Sequence, residues 1–394
     1  MQHPKLRPLL QYAHKDDSGQ RYVLFDRTGL SDAQLHLSRR DMELLQRLDG
    51  TTSLDEIRKG FRASHTAEAV AGLLEQLDQA LFLDTPRFRE RVAGPVRPAL
   101  CAGRSYEDDP NELRRRLRGL FTRGAGLPGQ HVPDPALRAV LVPHIDYTRG
   151  GLSYTYAFRE LYERSPARLF VIIGTSHFSG HRFTLTRKHF QTPLGTVPTD
   201  QAFIDRLVAH YGDGLFDDEF GAHMPEHSIE FEVVFLQYLY EKRRDIRIVP
   251  LLVGSFGDCV ESGQSPRSRT DIARMADALR AVERELDEPI CYIISGDLAH
   301  IGSEFGDRGA LRDATLEHSK RRDQAILDAA VCADPEAYFS VIAEENNERR
   351  ICGLPPTWLT LAVAGASSGR MLHYDQIVHP QRILSVSFAS MSFD

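Results

Sequence analysis

Three histidines follow short apolar runs that are typical of buried strands. His144 comes after Val142, His177 after the run at 169–173, and His300 after the run at 290–294. A lone histidine behind a strand is more often an ordinary hydrogen-bonded residue, but its repetition behind three strands favours a shared site. In open α/β sheets the loops beyond the strand ends form the ligand crevice, so we expect these histidines to converge. Because imidazole is a common metal ligand, the pattern predicts a metal site containing His144 and His177.

A cysteine near the C-terminal end of the chain is a candidate third ligand. Cys352 lies in the sequence Arg-Ile-Cys-Gly-Leu-Pro-Pro at 350–356, just before a predicted helix that contains Trp358. Free N–H groups and the positive dipole end at a helix start favour the thiolate form of a cysteine, and thiolates bind metals. The alternative is that Cys352 is simply a small buried apolar residue.

A histidine and a glutamate also occur together at the start of another predicted helix. His227 and Glu230 lie in Pro-Glu-His-Ser-Ile-Glu at 225–230, and the helix continues through Leu239. Residues three apart share a helix face, so this spacing suits a proton-transfer pair or a partner that supports a metal ligand. The alternative is a solvated helix start with no chemical role.

The elements that must position these residues form an α/β pattern. We predict strands at 139–142, 169–173, 246–253 and 290–294, and a final alternating strand at 384–388 that is a sheet edge or an antiparallel addition. Amphipathic helical runs alternate with the apolar runs, which is typical of a mainly parallel or mixed sheet flanked by helices. This domain is expected to occupy 136–394, after a linker at 91–135 that contains one helix at 111–121.

Residues 1–90 are predicted to form a separate, small α+β unit with a winged-helix-like outline. It would consist of a strand at 22–25, three helices, and a strand at 81–83. Ser38 with Asp41, and Ser53 with Glu56, have the spacing of capping boxes that open the first two helices, while the third is predicted at 66–80.

Two stretches of this unit resemble PqqD-like peptide-recognition domains. They are 22–30 and the segment Leu-Leu-x-x-Leu-Asp-Gly-x-x-Ser-Leu-Asp-Glu-Ile at 44–57. The resemblance implies a module that adds a leader-peptide strand to its small sheet. A helical packing domain with no ligand is the alternative.

Five motifs in one order resemble the Memo family, which includes the AmmeMemoRadiSam system protein B of bacteria and archaea. They are PHxxY at 143–147 with Gly150 and Gly151, GxSH at 174–177, EHSIE at 226–230, SGDLAH at 295–300 and ICG at 351–353. Any one motif is weak evidence, but five in order make chance similarity improbable. The resemblance, over about 136–394, implies the fold of class III extradiol dioxygenases, whose iron site uses two histidines and one carboxylate.

Position by position, the resemblance implies a ligand set and a cleft. The implied metal ligands are His144, His177 and Cys352, and the implied catalytic residues lining the cleft are His227, Asp297 and His300. A thiolate in place of the carboxylate makes the site softer and favours copper or zinc, while iron remains consistent with the fold. We therefore expect a metal ion as cofactor, with copper or iron favoured and zinc allowed.

One departure from the family pattern affects the predicted site. Where much of the family has PHAGY, this chain has Pro-His-Ile-Asp-Tyr at 143–147, followed by Arg149. Asp146 could be a hydrogen-bond partner of His144 or an additional ligand. Direct transfer of the metal's identity is therefore not justified.

Two functions follow from these features. The first is a metal-dependent redox enzyme acting on a peptide or small molecule, with His227 or His300 moving protons. The second is a non-catalytic metal-binding or protein-interaction component that works with a radical-SAM partner. A zinc hydrolase fits less well because the sequence contains no HExxH motif. A peptide-recognition unit attached to the metal domain favours a peptide or protein substrate, because tethering raises the local substrate concentration.

The composition of the chain limits the classes of partner and site that we expect. The 394 residues carry a net charge of −7, which disfavours nucleic acid as the main partner because phosphate binding requires clustered Lys and Arg. No run of 18 apolar residues occurs, so we expect no membrane span and a cytoplasmic location. The five cysteines form no CxxC pair, which argues against a zinc ribbon.

Overall fold

The chain divides into two compact units, Met1–Pro95 and Val96–Asp394. The computed structural model describes residues 2–7, 10–14, 21–26, 29–241 and 243–394. Residues 27 and 28 of the predicted PqqD-like stretch lie outside this set. Residues 96–135, which were predicted as most of a linker, contribute a strand and a helix to the second unit.

The described residues of the first unit form three antiparallel strands followed by four helices. Its elements are β1 Leu10–His14, β2 Arg21–Asp26, β3 Gln34–Ser38, α1 Arg39–Leu45, α2 Leu54–Gly60, α3 Ala67–Gln79 and α4 Pro86–Val92. The sheet order is β1-β2-β3. Both predicted capping boxes form, since Ser38 accepts from the backbone of Asp41 and Ser53 accepts from the backbone of Glu56. Ser38 ends β3, and the two caps begin α1 and α2 at the predicted residues.

The strand predicted at 81–83 is wrong. Helix α3 ends at Gln79, Leu81 has a positive φ of 60°, and Leu83 forms only an isolated bridge with Leu6. Phe82 and Leu83 are fully buried among the apolar residues of the helices. Their hydrophobicity therefore serves the core of the unit and not a strand.

The second unit is built around one large mixed sheet. Its strands are β4 Val96–Arg97, β5 Ala139–Val142, β6 Leu169–Thr175, β7 Phe183–Leu185, β8 His189–Thr192, β9 Gly195–Val197, β10 Arg247–Val253, β11 Ile290–Ser295, β12 His300–Ile301, β13 Gly369–Val378 and β14 Ser385–Phe393. Eight of them form a sheet in which β5, β11, β6 and β10 are parallel neighbours. β14 pairs antiparallel with β5, β12 and β13 pair with β14, and β7 pairs antiparallel with β10.

Helices cover both faces of this sheet. They are α5 Pro110–Arg123, α6 Tyr147–Arg164, α7 Gln201–Tyr211, α8 Glu219–His223, α9 Glu230–Tyr240, α10 Gly257–Ser262, α11 Thr270–Arg284, α12 Asp313–Val331, α13 Pro335–Ala343 and α14 Leu354–Val363, with short 3-10 helices at Asp213–Phe216, Pro266–Ser268 and Ser303–Phe305. Residues alternate between two cores along each central strand. On β5, Leu141 belongs to the core that contains Trp358, whereas Val142 belongs to the core that contains Phe235. Burial on both faces explains why the parallel strands have continuous apolar sequences.

The predicted α/β class and all five predicted strands of this unit are found. The final strand is an antiparallel addition, and it lies between β5 and β13 instead of at the sheet edge. Among the described residues, no helix combines the length and apolar character that crossing a membrane requires.

Candidate metal centre

The candidate site residues lie in loops that leave the ends of three neighbouring strands. In the registers of β5, β11 and β6, Ser295 lies opposite both Val142 and Gly174. The loops that leave these strands therefore begin at one edge of the sheet, and they carry His144, Asp297 and His177. This is the crevice that the post-strand histidines predicted.

Two sets of potential metal ligands meet at this edge and share His144. One set is His144 with His177 and His227, and the other is His144 with Asp297 and Cys352; within each set the ligand atoms lie within 4.8 Å of one another. The ring centroids of the three histidines are 5.0, 5.2 and 5.1 Å apart. The predicted ligands His144, His177 and Cys352 are thus brought together, and His227 and Asp297 join them.

One buried carboxylate is hydrogen-bonded to His177 and lies beside His227. Glu226 Oε1 lies 3.0 Å from His177 Nδ1 and 3.2 Å from His227 Nδ1. The backbone N–H groups of His177, His227 and Ser228 also donate to this carboxylate, at 2.7, 3.0 and 3.1 Å. Because a carboxylate only accepts, the hydrogen-bonded Nδ1 of His177 carries the proton, and its Nε2 atom is left for a metal.

The charges of this cluster are compatible with metal binding. Burial would raise the pKa of Glu226, but the neighbouring His177 and His227 hold it well below its usual range. Burial lowers the pKa of His227 to about 4, so that imidazole is neutral at pH 7. Burial disfavours charge on His177, yet the neighbouring Glu226 raises its pKa well above the ordinary value. A cation at Nε2 of His177 would displace a proton there.

His144 is oriented by a separate hydrogen-bond chain. Its Nδ1 lies 3.3 Å from the hydroxyl of Ser295, and that hydroxyl donates to the carbonyl of Ser228 at 2.6 Å. The serine proton is used in this bond, so His144 Nδ1–H donates to Ser295. The Nε2 atom then faces Cys352 Sγ at 3.3 Å. Burial lowers the pKa of His144 well below its ordinary value, which keeps the ring neutral and ready to bind a metal.

Cys352 and Asp297 form the other side of the site. The Asp297 backbone N–H donates to Cys352 Sγ at 3.4 Å, and Asp297 Oδ2 lies 3.8 Å from His144 Nε2. Burial raises the pKa of the Cys352 thiol, although helix α14 begins two residues later. The predicted stabilisation of a thiolate by the helix start is therefore outweighed by desolvation, and a nearby cation would be needed to ionise the thiol.

Two glycines allow the loops that carry Asp297 and Cys352 to touch. A Cβ on Gly296 would lie 2.5 Å from the Cα of Gly353, and a Cβ on Gly353 would lie 2.7 Å from the carbonyl oxygen of Asp297. These neighbours are backbone atoms, which cannot rotate away. The ICG motif therefore needs glycine because two backbones pack against each other beside the sulfur.

Replacing Gly353 by Ala is expected to destabilise the protein by about 1–3 kcal/mol through this clash and to weaken metal binding by displacing Cys352. Urea unfolding and a metal titration measure the two effects. Gly119→Ala is the matched control, since no atom lies within 4 Å of its added Cβ and its helical position favours alanine. A Gly353→Ala protein as stable as the wild type would contradict the role of this contact.

Three predicted residues have other contacts. His300 belongs to neither ligand set; its Nδ1 lies 3.1 Å from the carbonyls of Leu298 and Arg350. Asp146 caps helix α6 and pairs with Arg149, so the proposed contact with His144 is replaced by a helix cap. Glu230 is bonded to Arg97 and does not pair with His227, whose carboxylate partner is Glu226.

A buried arginine supports the loop that carries His227. The Arg97 guanidinium donates to the carbonyls of His223, Met224 and Glu226, at 2.7, 3.2 and 2.7 Å. It also lies 2.5 Å from the carboxylate of Glu230, and the arginine is 0% exposed. The prediction from sequence missed Arg97, Glu226 and Ser295 as site residues. Glu226 and Ser295 both lie inside quoted motifs, so those motifs were the available signal.

The fold and the site define an α/β protein with a candidate metal centre of histidines and a cysteine at the ends of its parallel strands. The model of the family described as Memo-like protein matches residues 97–392. The chain therefore belongs to the Memo family, which confirms the resemblance to that family, and the mixed sheet flanked by helices confirms the predicted α/β fold class. The match begins before residue 136, so it includes residues that were predicted as linker.

Curated relatives extend this assignment. A MEMO1 family protein of Aquifex aeolicus is 24% identical over 98% of this chain and 100% of its own length, so that alignment spans both units. A MEMO1 family protein of Methanobrevibacter smithii is 30% identical over 71% of this chain and 92% of its own. A MEMO1 family protein of Methanopyrus kandleri is 28% identical over 71% of this chain and 91% of its own length.

Proposed function

We propose that the second unit binds one transition metal ion through His144, His177, His227 and Cys352 and acts as a metal-dependent redox enzyme. The observation that carries this proposal is the cluster of His144, His177 and His227, in which the hydrogen bond between His177 Nδ1 and the buried Glu226 leaves Nε2 of His177 directed away from the carboxylate. Outer hydrogen bonds of this kind are typical of metal-binding histidines.

The types of donor atom limit which metal ions this site can bind. Three imidazoles and one thiolate form a borderline-soft site that suits copper, iron or zinc and disfavours magnesium or calcium. A redox-active ion held here would supply one-electron or oxygen chemistry. Burial raises the pKa of Asp297 to about 7, so this carboxyl, 3.8 Å from His144 Nε2, can hold or release a proton near neutral pH.

Access to the site favours catalysis on a small molecule or a peptide side chain. The His177 side chain is 31% exposed, and a cavity of about 220 Å³ lies beside Cys352, lined in part by Ser176, Phe256 and Leu354. The small antiparallel sheet of the first unit is consistent with a PqqD-like module that recruits a peptide substrate by strand addition.

A non-catalytic role beside a radical-SAM partner is the second candidate. It is favoured by the number of protein donors, because four protein ligands are typical of structural metal sites, whereas catalytic sites keep a position open. Oxygen-consumption assays with the metal-loaded protein separate the two functions. Oxygen consumption that depends on His227 would support the redox enzyme. Metal binding without oxygen consumption would support the non-catalytic role.

Elemental analysis of protein purified without a metal-binding tag tests the site itself. We expect the wild type to retain metal and the His177→Ala and Cys352→Ala variants to lose most of it. His210→Ala and Cys332→Ala are matched controls, because His210 pairs with Glu285 away from the cluster and Cys332 is exposed. Equal metal content in the wild type and all four variants would contradict the proposed metal site.

A further inference from the structure

A groove rich in arginine lies on the surface of the second unit, between α5 and the C-terminal end of α9. Its volume is about 500 Å³. Arg114 and Arg118 are four residues apart on α5 and therefore share one face of that helix. Arg243, which follows α9 in the chain, also lines the groove, and Glu241 is the acidic residue of its lining. We call this feature the arginine groove.

Two arginines of the groove carry charges that no carboxylate of the described residues neutralises. The Arg114 guanidinium donates to Glu241 from Nε at 3.0 Å and from Nη2 at 2.9 Å, so these two charges cancel locally. Arg118 and Arg243 are exposed and form no ion pair with a described residue. The guanidinium carbon of Arg243 lies 4.7 Å from the centroid of the Tyr162 ring. Stacking of this kind orients a guanidinium and leaves its N–H groups free to bind a carboxylate.

The arginine groove also has apolar walls. Tyr238 is half-buried, and its ring stacks on that of Phe121 with centroids 5.9 Å apart and planes at 21°. Leu127 is 45% exposed, although large apolar side chains are seldom left so open in this chain. Tyrosine and arginine are enriched at protein interfaces, where a ring already fixed by packing binds at a small cost in conformational entropy. The groove therefore offers an apolar contact as well as positive charge.

We propose that the arginine groove binds an acidic segment of a partner protein, with carboxylates on Arg118 and Arg243 and an apolar side chain on Leu127. Charge complementarity selects this occupant, because guanidinium groups bind carboxylates through paired, charge-assisted hydrogen bonds. A nucleic acid fits less well, since the chain has a net charge of −7 and binding to many phosphates requires many cations.

This proposal does not depend on metal binding. The groove is lined by residues at the C-terminal end of α9, whereas His227 precedes the first residue of that helix. Binding of a peptide can therefore be measured whether or not the protein holds a metal ion.

Fluorescence anisotropy with the full-length chain tests the charged part of the groove. The probe is a short fluorescein-labelled peptide in which glutamate alternates with leucine, and its control has glutamine in place of glutamate. We expect the wild type to bind the glutamate peptide and to bind the glutamine peptide at least about tenfold more weakly. Arg118→Glu with Arg243→Glu should weaken binding of the glutamate peptide about tenfold, because two exposed ion pairs are lost. Equal binding of the two peptides by the wild type would overturn the proposal.

A matched double variant makes the same change of charge outside the groove. Arg308 and Arg321 are exposed and form no ion pair with a described residue. Arg308→Glu with Arg321→Glu should leave the peptide affinity within about twofold of the wild type, because salt screens distant surface charges. An equal loss in both double variants would show that overall charge attracts the peptide, and it would contradict a site at the groove. Circular dichroism checks that each variant folds, and Arg118→Gln is a milder variant for the same comparison.

The apolar contact has its own test. Leu127→Ser should weaken binding of the glutamate–leucine peptide about threefold, since part of a leucine side chain would lose its apolar neighbour. The same substitution should not change binding of a peptide in which serine replaces leucine. Equal losses for the two peptides would contradict the contact at Leu127.

Two measurements would reveal a different occupant. Sedimentation velocity shows whether the wild type is a dimer that Arg118→Glu with Arg243→Glu dissociates, which would assign the groove to a second copy of this chain. Competition with a single-stranded oligonucleotide of the same charge as the peptide tests for nucleic acid. A dimer of that kind, or an oligonucleotide that competes better than unlabelled peptide, would overturn the proposal. An unchanged oligomeric state and weaker competition by the oligonucleotide would support it.

Discussion

Replacing Arg97 by Ala is expected to destabilise the second unit by about 3–5 kcal/mol, the cost of breaking a buried ion pair by removing one partner. The substitution leaves the Glu230 carboxylate buried without its cation. It also removes the donors to the carbonyls of His223, Met224 and Glu226. The loop that carries His227 would lose its anchor, so metal binding should weaken with stability. Urea unfolding monitored by circular dichroism measures the first effect.

The control for Arg97 is an arginine with a solvent-exposed partner. Arg115 is 72% exposed and lies 3.3 Å from Glu112, so Arg115→Ala should change the free energy of unfolding by less than about 1 kcal/mol. If Arg97→Ala unfolds like Arg115→Ala, the buried pair does not stabilise this unit.

Replacing Glu226 by Ala should weaken metal binding by about 10- to 100-fold, although Glu226 belongs to neither ligand set. His177 would lose the acceptor that keeps its proton on Nδ1, and His227 would lose the carboxylate that lies 3.2 Å from its Nδ1, so each ring could turn. Three backbone N–H groups would lose their partner as well. Competition between the protein and a chelator of known affinity measures the change.

Two further variants make the Glu226 experiment specific. Glu226→Gln keeps the shape but removes the charge, and a substantial loss in this variant would show that the anion is what matters. Glu261→Ala removes an exposed carboxylate from helix α10 and should leave metal binding unchanged. Metal affinity of Glu226→Ala within twofold of the wild type would contradict the orienting role.

Local sequence patterns predicted the framework of the second unit and most of the candidate site. Buried parallel strands have continuous apolar runs, so β5, β6 and β11 were recognisable without any knowledge of their partners. Because parallel strands end at one edge of a sheet, the positions of His144 and His177 followed from the same pattern. Capping boxes are equally local, which is why the helix starts after Ser38 and Ser53 were predicted correctly.

Contacts between distant residues could not be predicted in this way. Arg97 lies 129 residues before Glu226 in the chain, in a Pro- and Arg-rich stretch whose composition is typical of a linker. Its role depends on burial against a loop that the sequence alone does not bring near it. The prediction of a strand at 81–83 was wrong for a related reason. Hydrophobic residues indicate burial, but they do not distinguish a strand from a buried turn.

The backbone N–H of Asp297 that points at Cys352 Sγ would affect the reduction potential of a metal ion bound to that sulfur. A hydrogen bond to a metal-bound sulfur withdraws electron density from it, so the sulfur donates less to the metal and the reduced state is stabilised. We expect a redox ion held by Cys352 to have a raised reduction potential. Because Gly296 and Gly353 lock this N–H in a contact between backbones, the potential would be set by the fold and not by a mobile side chain.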